Sequence, residues 1–155
     1  MQTNDVKLRV LLDLIGKKKA LLTQILTICE NQESILSAER NEELDRMFIE
    51  MGNEKQALVD EVIATDNFFQ KVFDELGENF ERTGEDNKDV IKLMQSHIMG
   101  VTELDTKIRL AENRNVERIT RTRAQPVKPS VNQVSKQHLL KQYKSHDKHK
   151  RGSIE

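Results

Sequence analysis

The chain has 155 residues, of which 36% are hydrophobic and 33% are charged, with five Phe, one Tyr and no Trp. That length suits one domain, and six Gly and two Pro are too few for the many turns of a β-sandwich or barrel. The net charge of −1 hides a division: residues 1–117 carry 15 Lys and Arg against 24 Asp and Glu, whereas residues 118–151 carry 10 against one. We therefore expect an acidic helical body followed by a basic tail.

Nothing in the sequence has the pattern of a signal peptide or a membrane span. The first ten residues, MQTNDVKLRV, contain no apolar run of signal-peptide length, and nowhere do 18 apolar residues follow one another. The single cysteine, Cys29, cannot form an internal disulfide. We therefore expect a cytoplasmic protein that does not insert into a membrane.

The first predicted helix covers residues 5–38. Its apolar series alternates spacings of three and four residues, with Lys18 and Gln32 as polar members. The apolar members are Leu8, Leu11, Ile15, Leu22, Ile25, Cys29 and Leu36. Further leucines and isoleucines widen this stripe, as expected for a helix that packs against two neighbours. Gly16 is a candidate for a close contact between helices.

The second predicted helix covers residues 42–81, with Asn41 as its N-cap and acidic residues in its first turn. Its series is apolar at eight of ten positions, the exceptions being Lys55 and Thr65. The series is Leu44, Phe48, Met51, Lys55, Leu58, Val62, Thr65, Phe69, Val72 and Leu76. Because the link to the first helix is short, the two helices should form an antiparallel hairpin.

The segment RTGEDNKD interrupts the periodicity, and a third helix is predicted over residues 88–119. Its apolar face weakens at Asp105, Glu112 and Asn115. We therefore expect the distal part of this helix to be less firmly packed and available to a partner. The predicted fold is thus an all-α antiparallel bundle or coiled coil of three long helices, forming a domain over residues 1–119.

The basic tail covers residues 120–155. Two prolines and scattered polar residues between 120 and 135 indicate an extended linker. A short amphipathic segment follows at 136–144, KQHLLKQYK, with Leu139, Leu140 and Tyr143 on one side. Both a docking motif and a solvated arm remain open for this segment.

Residues that could carry chemistry are few. His146 and His149 have a spacing that zinc sites use, with His138 nearby, but the tail offers no fixed frame for a metal. Cys29 lies in the apolar series and is expected to be a buried, inert thiol. There is no phosphate-binding glycine loop and no pair of carboxylates suited to acid–base catalysis. We expect no enzymatic activity, cofactor or metal.

Several segments resemble the flagellar type III export chaperones of the FlgN and FliT type. They are the hairpin LRVLLDLIGKKKALLTQILTICENQESIL, the second-helix segment NEELDRMFIEMGNEKQALVDEVI, the amphipathic third helix and the tail motif LLKQYK. The resemblance covers residues 5–117 in pattern. It implies a cytoplasmic helical protein that binds hook–filament junction proteins or the filament cap and delivers them to the export apparatus. The lack of a fourth long helix favours the FlgN branch.

This resemblance implies two binding regions. A groove along the third helix would hold the substrate protein, with predicted contacts at Ile98, Val101, Leu104, Ile108 and Ile119. An aromatic residue near the C-terminus would dock on the export gate or the export ATPase, a role that suits Tyr143 with Leu139 and Leu140. The basic residues of the tail would steer it to an acidic surface.

Two other classes of protein remain as alternatives. A helical adaptor could use the basic tail as an arm for nucleic acid or an acidic partner, although one aromatic residue in the tail disfavours base stacking. A structural coiled coil could form long homodimers, but the breaks between the helices interrupt such a rod. Homodimerisation itself is left open.

Overall fold

The computed structural model describes residues 3–124, which form four α-helices with short connections. α1 spans Asn4–Ser37, α2 spans Glu42–Leu76, α3 spans Asn79–Asp86 and α4 spans Lys88–Ala124. The all-α prediction is confirmed, but four helices pack together where three were predicted. This part of the chain contains no strand, and none of its helices is long and apolar enough to cross a membrane.

Side-chain caps define where the first two long helices begin. Thr3 precedes α1, and its hydroxyl accepts a hydrogen bond from the Val6 amide at 3.2 Å. The predicted N-cap of α2 is confirmed, because the Asn41 Oδ1 accepts from the Leu44 amide at 2.8 Å. Both caps satisfy amide groups that have no partner within the helix itself.

Two predicted helix ends differ from the structure. α2 ends at Leu76 instead of residue 81, because Gly77 adopts a φ of 49° and turns the chain out of the helix. The segment predicted as a break partly forms α3. The side-chain amide of Asn87, the residue that follows α3, donates a hydrogen bond of 2.8 Å to the Asp5 carboxylate at the start of α1. The last helix continues to Ala124 instead of ending at residue 119.

α1 occupies the central position of the bundle. It packs against both α2 and α4, whereas no Cα of α2 comes within 8 Å of a Cα of α4 in the described chain. α2 runs antiparallel to α1, because Lys18 of α1 pairs with Asp66 while Gln32, later in α1, bonds the earlier Lys55 of α2. α4 runs parallel to α1, since Glu33 near the end of α1 binds Arg114 near the end of α4.

The apolar core divides into three clusters along the bundle. The first, at the middle, contains Leu21, Leu22, Ile25, Cys29, Val59, Val62, Ile108 and Ala111. The second, at the end that carries α3, contains Leu8, Leu11, Ile15, Val72, Leu76 and Met94. The third, at the other end, has Phe48 and Ile119 at its centre. The predicted apolar series of α1 and α2 are confirmed as the faces that build these clusters.

Candidate protein-binding surface

The five predicted substrate contacts on α4 do not share one exposed surface. Ile108 and Ile119 are fully buried in the first and third clusters, so they are core residues in this structure. Val101 and Leu104 are half-buried and pack against the first cluster. Ile98 alone is exposed, at 48%.

A second exposed apolar residue, Phe68, lies on α2. The contact between Lys55 and Glu112 relates the levels of these antiparallel helices, and stepping 14 residues along each places Ile98 at the same level of the bundle as Phe69. Phe69 is half-buried against the second cluster, and its neighbour Phe68 is 48% exposed. We call Phe68 and Phe69 of α2 and Ile98 of α4, taken together, the α2–α4 surface.

Phe68 lies on an outer edge of α2. Glu75, seven residues after Phe68, shares that edge and pairs with Lys7 of α1 at 3.9 Å, whereas Asp66, on the other side of α2, pairs with Lys18. Sequence periodicity missed Phe68, since this residue falls outside the buried series, and only its exposure in the folded protein identifies it.

Acidic groups accompany this apolar surface. Glu54 and Glu61 precede Phe68 by 14 and seven residues, so they lie along the same edge of α2, and both are exposed. Asp105, seven residues after Ile98, is half-buried on α4, whereas Arg109 is exposed one turn further on. The exposed edge of α2 next to the apolar surface is therefore predominantly acidic.

A buried group of polar side chains lies between the first and third clusters. We call Cys29, Gln32, Lys55, Glu112 and Asn115 the polar layer; each of them is at most 2% exposed. The Lys55 Nζ donates to Gln32 Oε1 at 2.7 Å and lies 3.9 Å from Glu112 Oε1. The layer thus connects α1, α2 and α4 in a region where α2 and α4 backbones do not touch.

Further hydrogen bonds tie the polar layer to the backbone. The side-chain amide of Gln32 donates to the backbone carbonyl of Phe48 at 3.3 Å. The side-chain amide of Asn115 donates to the backbone carbonyl of Cys29 at 3.0 Å. The Cys29 thiol lies 3.8 Å from Glu112 Oε1 as a weak donor. Burial lowers the pKa of Lys55 because it disfavours the charged ammonium, and nearby Cys29 and Glu112 act in the opposite direction.

The polar layer corrects one prediction from the sequence. Glu112 and Asn115 were expected to loosen the distal part of α4, but both are buried among partners from other helices. The expectation was wrong at these positions because the sequence does not reveal that Lys55 and the Cys29 carbonyl lie opposite them. Polar residues on an apolar helix face are stable there only when such partners are provided.

The other candidates give no site with evident chemistry. Cys29 is buried, as predicted. In residues 3–124 no three His, Cys, Asp or Glu side chains come together as a metal-binding group. Gly16 faces α4 but does not mark an unusually close contact, because a Cβ there would lie at an ordinary distance of 3.7 Å from the His97 ring.

The predicted docking residues Leu139, Leu140 and Tyr143, the amphipathic segment 136–144 and the tail histidines lie outside the described residues. No family model, curated protein or solved structure was found to match the chain.

Proposed function

We propose that this protein is a cytoplasmic flagellar export chaperone, which binds a hook–filament junction or cap protein and delivers it to the type III export apparatus. The observation that supports a binding role is the exposure of two large apolar side chains, Phe68 of α2 and Ile98 of α4, at nearly the same level of the bundle. The flagellar assignment rests on the resemblance of the helical segments to chaperones of the FlgN and FliT type.

The chemistry of the α2–α4 surface suits an amphipathic helix as the bound segment. Such a helix buries its apolar side against exposed apolar residues and leaves its polar side in water. Phe68 and Ile98 would be the central contacts, since aromatic and large aliphatic side chains at the centre of an interface contribute most of the binding energy. Glu54 and Glu61 would meet polar or basic residues at the rim.

The tail would have a separate task in this proposal. Tyr143, with Leu139 and Leu140, would dock on the export gate or export ATPase, and the Lys residues around them would guide the approach to an acidic surface. Substrate binding and docking would then depend on different parts of the chain.

A pull-down from a lysate of the source organism tests both tasks, with retained proteins identified by mass spectrometry. In the full-length double variant Phe68→Asp/Ile98→Asp, we expect hook-associated or cap proteins to be retained at least about tenfold less, because both central contacts are lost. Leu110→Asp is the matched control: Leu110 is also exposed on α4, at 53%, but lies away from the α2–α4 surface. Circular dichroism checks that all variants remain helical.

The Tyr143→Ala variant belongs in the same experiment. We expect it to retain the substrate protein and lose export-gate or ATPase components. Equal retention of substrate by Phe68→Asp/Ile98→Asp and by the wild type would exclude the α2–α4 surface as the binding site. Capture of nucleic acid through the tail, with no flagellar protein retained, would favour the adaptor alternative instead.

A further inference from the structure

The register between α1 and α4 is the same at four positions from Gly16 to Ser37 of α1. The contacting residues at these positions differ by 81 in number. These contacts are Gly16 with His97, Lys19 with Gly100, Glu33 with Arg114 and Ser37 with Arg118. The two helices therefore pair in parallel, as in a coiled coil, over about 32 Å at 1.5 Å per residue.

Two parts of this pairing would tolerate a shift of α4 by seven residues. One column of the α4 face is apolar at three successive positions, Met94, Val101 and Ile108. A shift by one heptad therefore places one apolar residue where another had been. The exposed ion pair of Glu33 with Arg114 would also survive, since Lys107 and Arg121 lie seven residues to either side.

The polar layer does not tolerate such a shift. In the observed register Glu112 lies opposite Lys55. A shift of seven residues in one direction would place the Glu112 carboxylate opposite Phe48, and a shift in the other direction would place it opposite Val62. Both are buried apolar residues, and a buried charge that loses its partner is strongly destabilising.

We propose that the polar layer specifies the register of α4 on α1 and α2, and thereby the level of Ile98 along the bundle. Lys55, Glu112 and Asn115 are positioning residues in this role. They select one of several apolar pairings and are not needed for the helices to associate. A single polar residue in the apolar interface of a coiled coil is known to fix register in this way, at a cost in stability.

Engineered disulfides in the full-length chain distinguish the registers. Lys19→Cys with Gly100→Cys reports the observed register, because the end of the Lys19 side chain lies over Gly100, where a Cβ would be 2.8 Å from the Lys19 Cε. Lys19→Cys with Leu93→Cys, or with Lys107→Cys, reports a shift by seven residues in either direction. Peptide mapping after oxidation separates these bonds from any that involve Cys29.

The decisive comparison replaces the polar layer by apolar side chains of similar size, Lys55→Met/Glu112→Leu/Asn115→Leu. With the natural layer, we expect only the Lys19–Gly100 cysteine pair to close. With the apolar layer, we expect the shifted pairs to close roughly a hundredfold faster than in the natural protein, because the penalty for burying an unpaired charge is gone. The melting temperature should stay the same or rise.

A control addresses the surface ion pair. When Glu33→Gln/Arg114→Gln is combined with the cysteine pairs, only the Lys19–Gly100 cysteine pair should form a disulfide, as in the natural protein. Closure of the shifted pairs in that control would overturn the proposal, because the surface charges would then set the register. The proposal also fails if only the Lys19–Gly100 cysteine pair closes in the apolar-layer variant. It fails as well if circular dichroism shows that this variant is unfolded. None of these results depends on a partner protein.

Discussion

At the scale of single residues, Lys55 is the most unusual group in the described chain. Its side chain is 2% exposed, yet it ends in an ammonium group beside Gln32 and Glu112. Water solvates a lysine far better than this interior does, so burial lowers its pKa below the usual 10.5 despite the nearby carboxylate. A cost of this kind in the folded state should be visible in the pH dependence of stability.

The sign of that dependence follows from proton binding. Because the pKa of Lys55 is lower in the folded protein than in the unfolded chain, the unfolded chain binds more protons between the folded value and 10.5. The free energy of unfolding should therefore gain a contribution that grows with pH in this alkaline window. Below the folded pKa, the full cost of burying the charge is present and constant.

The variant Lys55→Met/Glu112→Leu removes both charges and serves as the reference for this prediction. Urea unfolding at a series of pH values above neutrality should show the natural protein gaining stability relative to the double variant as pH rises towards 10.5. The titrating groups outside the polar layer are shared and cancel in the difference. Parallel pH curves for the two proteins would mean that Lys55 has the same pKa in the folded and unfolded states.

Sequence reasoning found these residues but not their relationship. Lys55 and Gln32 fell inside apolar series and were correctly placed on the core faces of their helices. Glu112 was interpreted as a weak point because a carboxylate on an apolar face is unfavourable when considered alone. Its partner is 57 positions away in the sequence, and only the packing of both α2 and α4 against α1 brings the two side chains together.

At the scale of helices, Gly77 decides where α2 ends. The apolar series of α2 could continue through Phe80, and the sequence therefore predicted a helix to residue 81. Gly77 instead has φ 49° and ψ −126°, a backbone conformation that residues with a Cβ rarely adopt. The chain leaves α2 there and begins α3 two residues later.

Two glycine substitutions should therefore change stability in opposite directions. Gly77→Ala forces a Cβ into the positive-φ conformation and should lower the free energy of unfolding by about 1–2 kcal/mol. Gly16→Ala should raise it by up to about 1 kcal/mol, because Gly16 is in the interior of a helix and its new Cβ would meet His97 at an ordinary distance of 3.7 Å. Chemical denaturation of both variants measures the difference; a stabilised Gly77→Ala would contradict the role given to Gly77.

α3 shows why this connection was hard to predict. Its sequence, NFERTGED, is rich in residues that favour turns. Thr83 and Gly84 are nevertheless buried, and a Cβ on Gly84 would lie 3.1 Å from the Ile91 side chain of α4. Contacts with α4 and the hydrogen bond from Asn87 to Asp5 hold the segment as a helix, and such tertiary contacts override local preference.

At the scale of the whole molecule, the position of α1 organises the bundle. The sequence indicated this position through the wide apolar stripe of α1, which is typical of a helix with two neighbours. It also predicted the antiparallel hairpin of α1 and α2 from their short link. The absence of close approach between α2 and α4 in the described chain was not predictable, because periodicity gives the buried face of a helix but not its distance from each neighbour.

This arrangement predicts an uneven distribution of local stability. Amides in the middle of α1, from Leu8 to Gln32, should exchange with solvent only through global unfolding, because α1 is packed on two sides and contributes to all three clusters. α3 has eight residues, of which two are buried, and should open locally with a much lower free energy. Native-state hydrogen exchange at increasing denaturant measures both, and the α2 amides beside α1 provide an internal control for the global value. Slower exchange of the α4 amides near Ile98 than of the α1 amides would contradict this prediction. The exposed α2–α4 surface would then have to be covered in solution, and α1 would not be the most stable element of the fold.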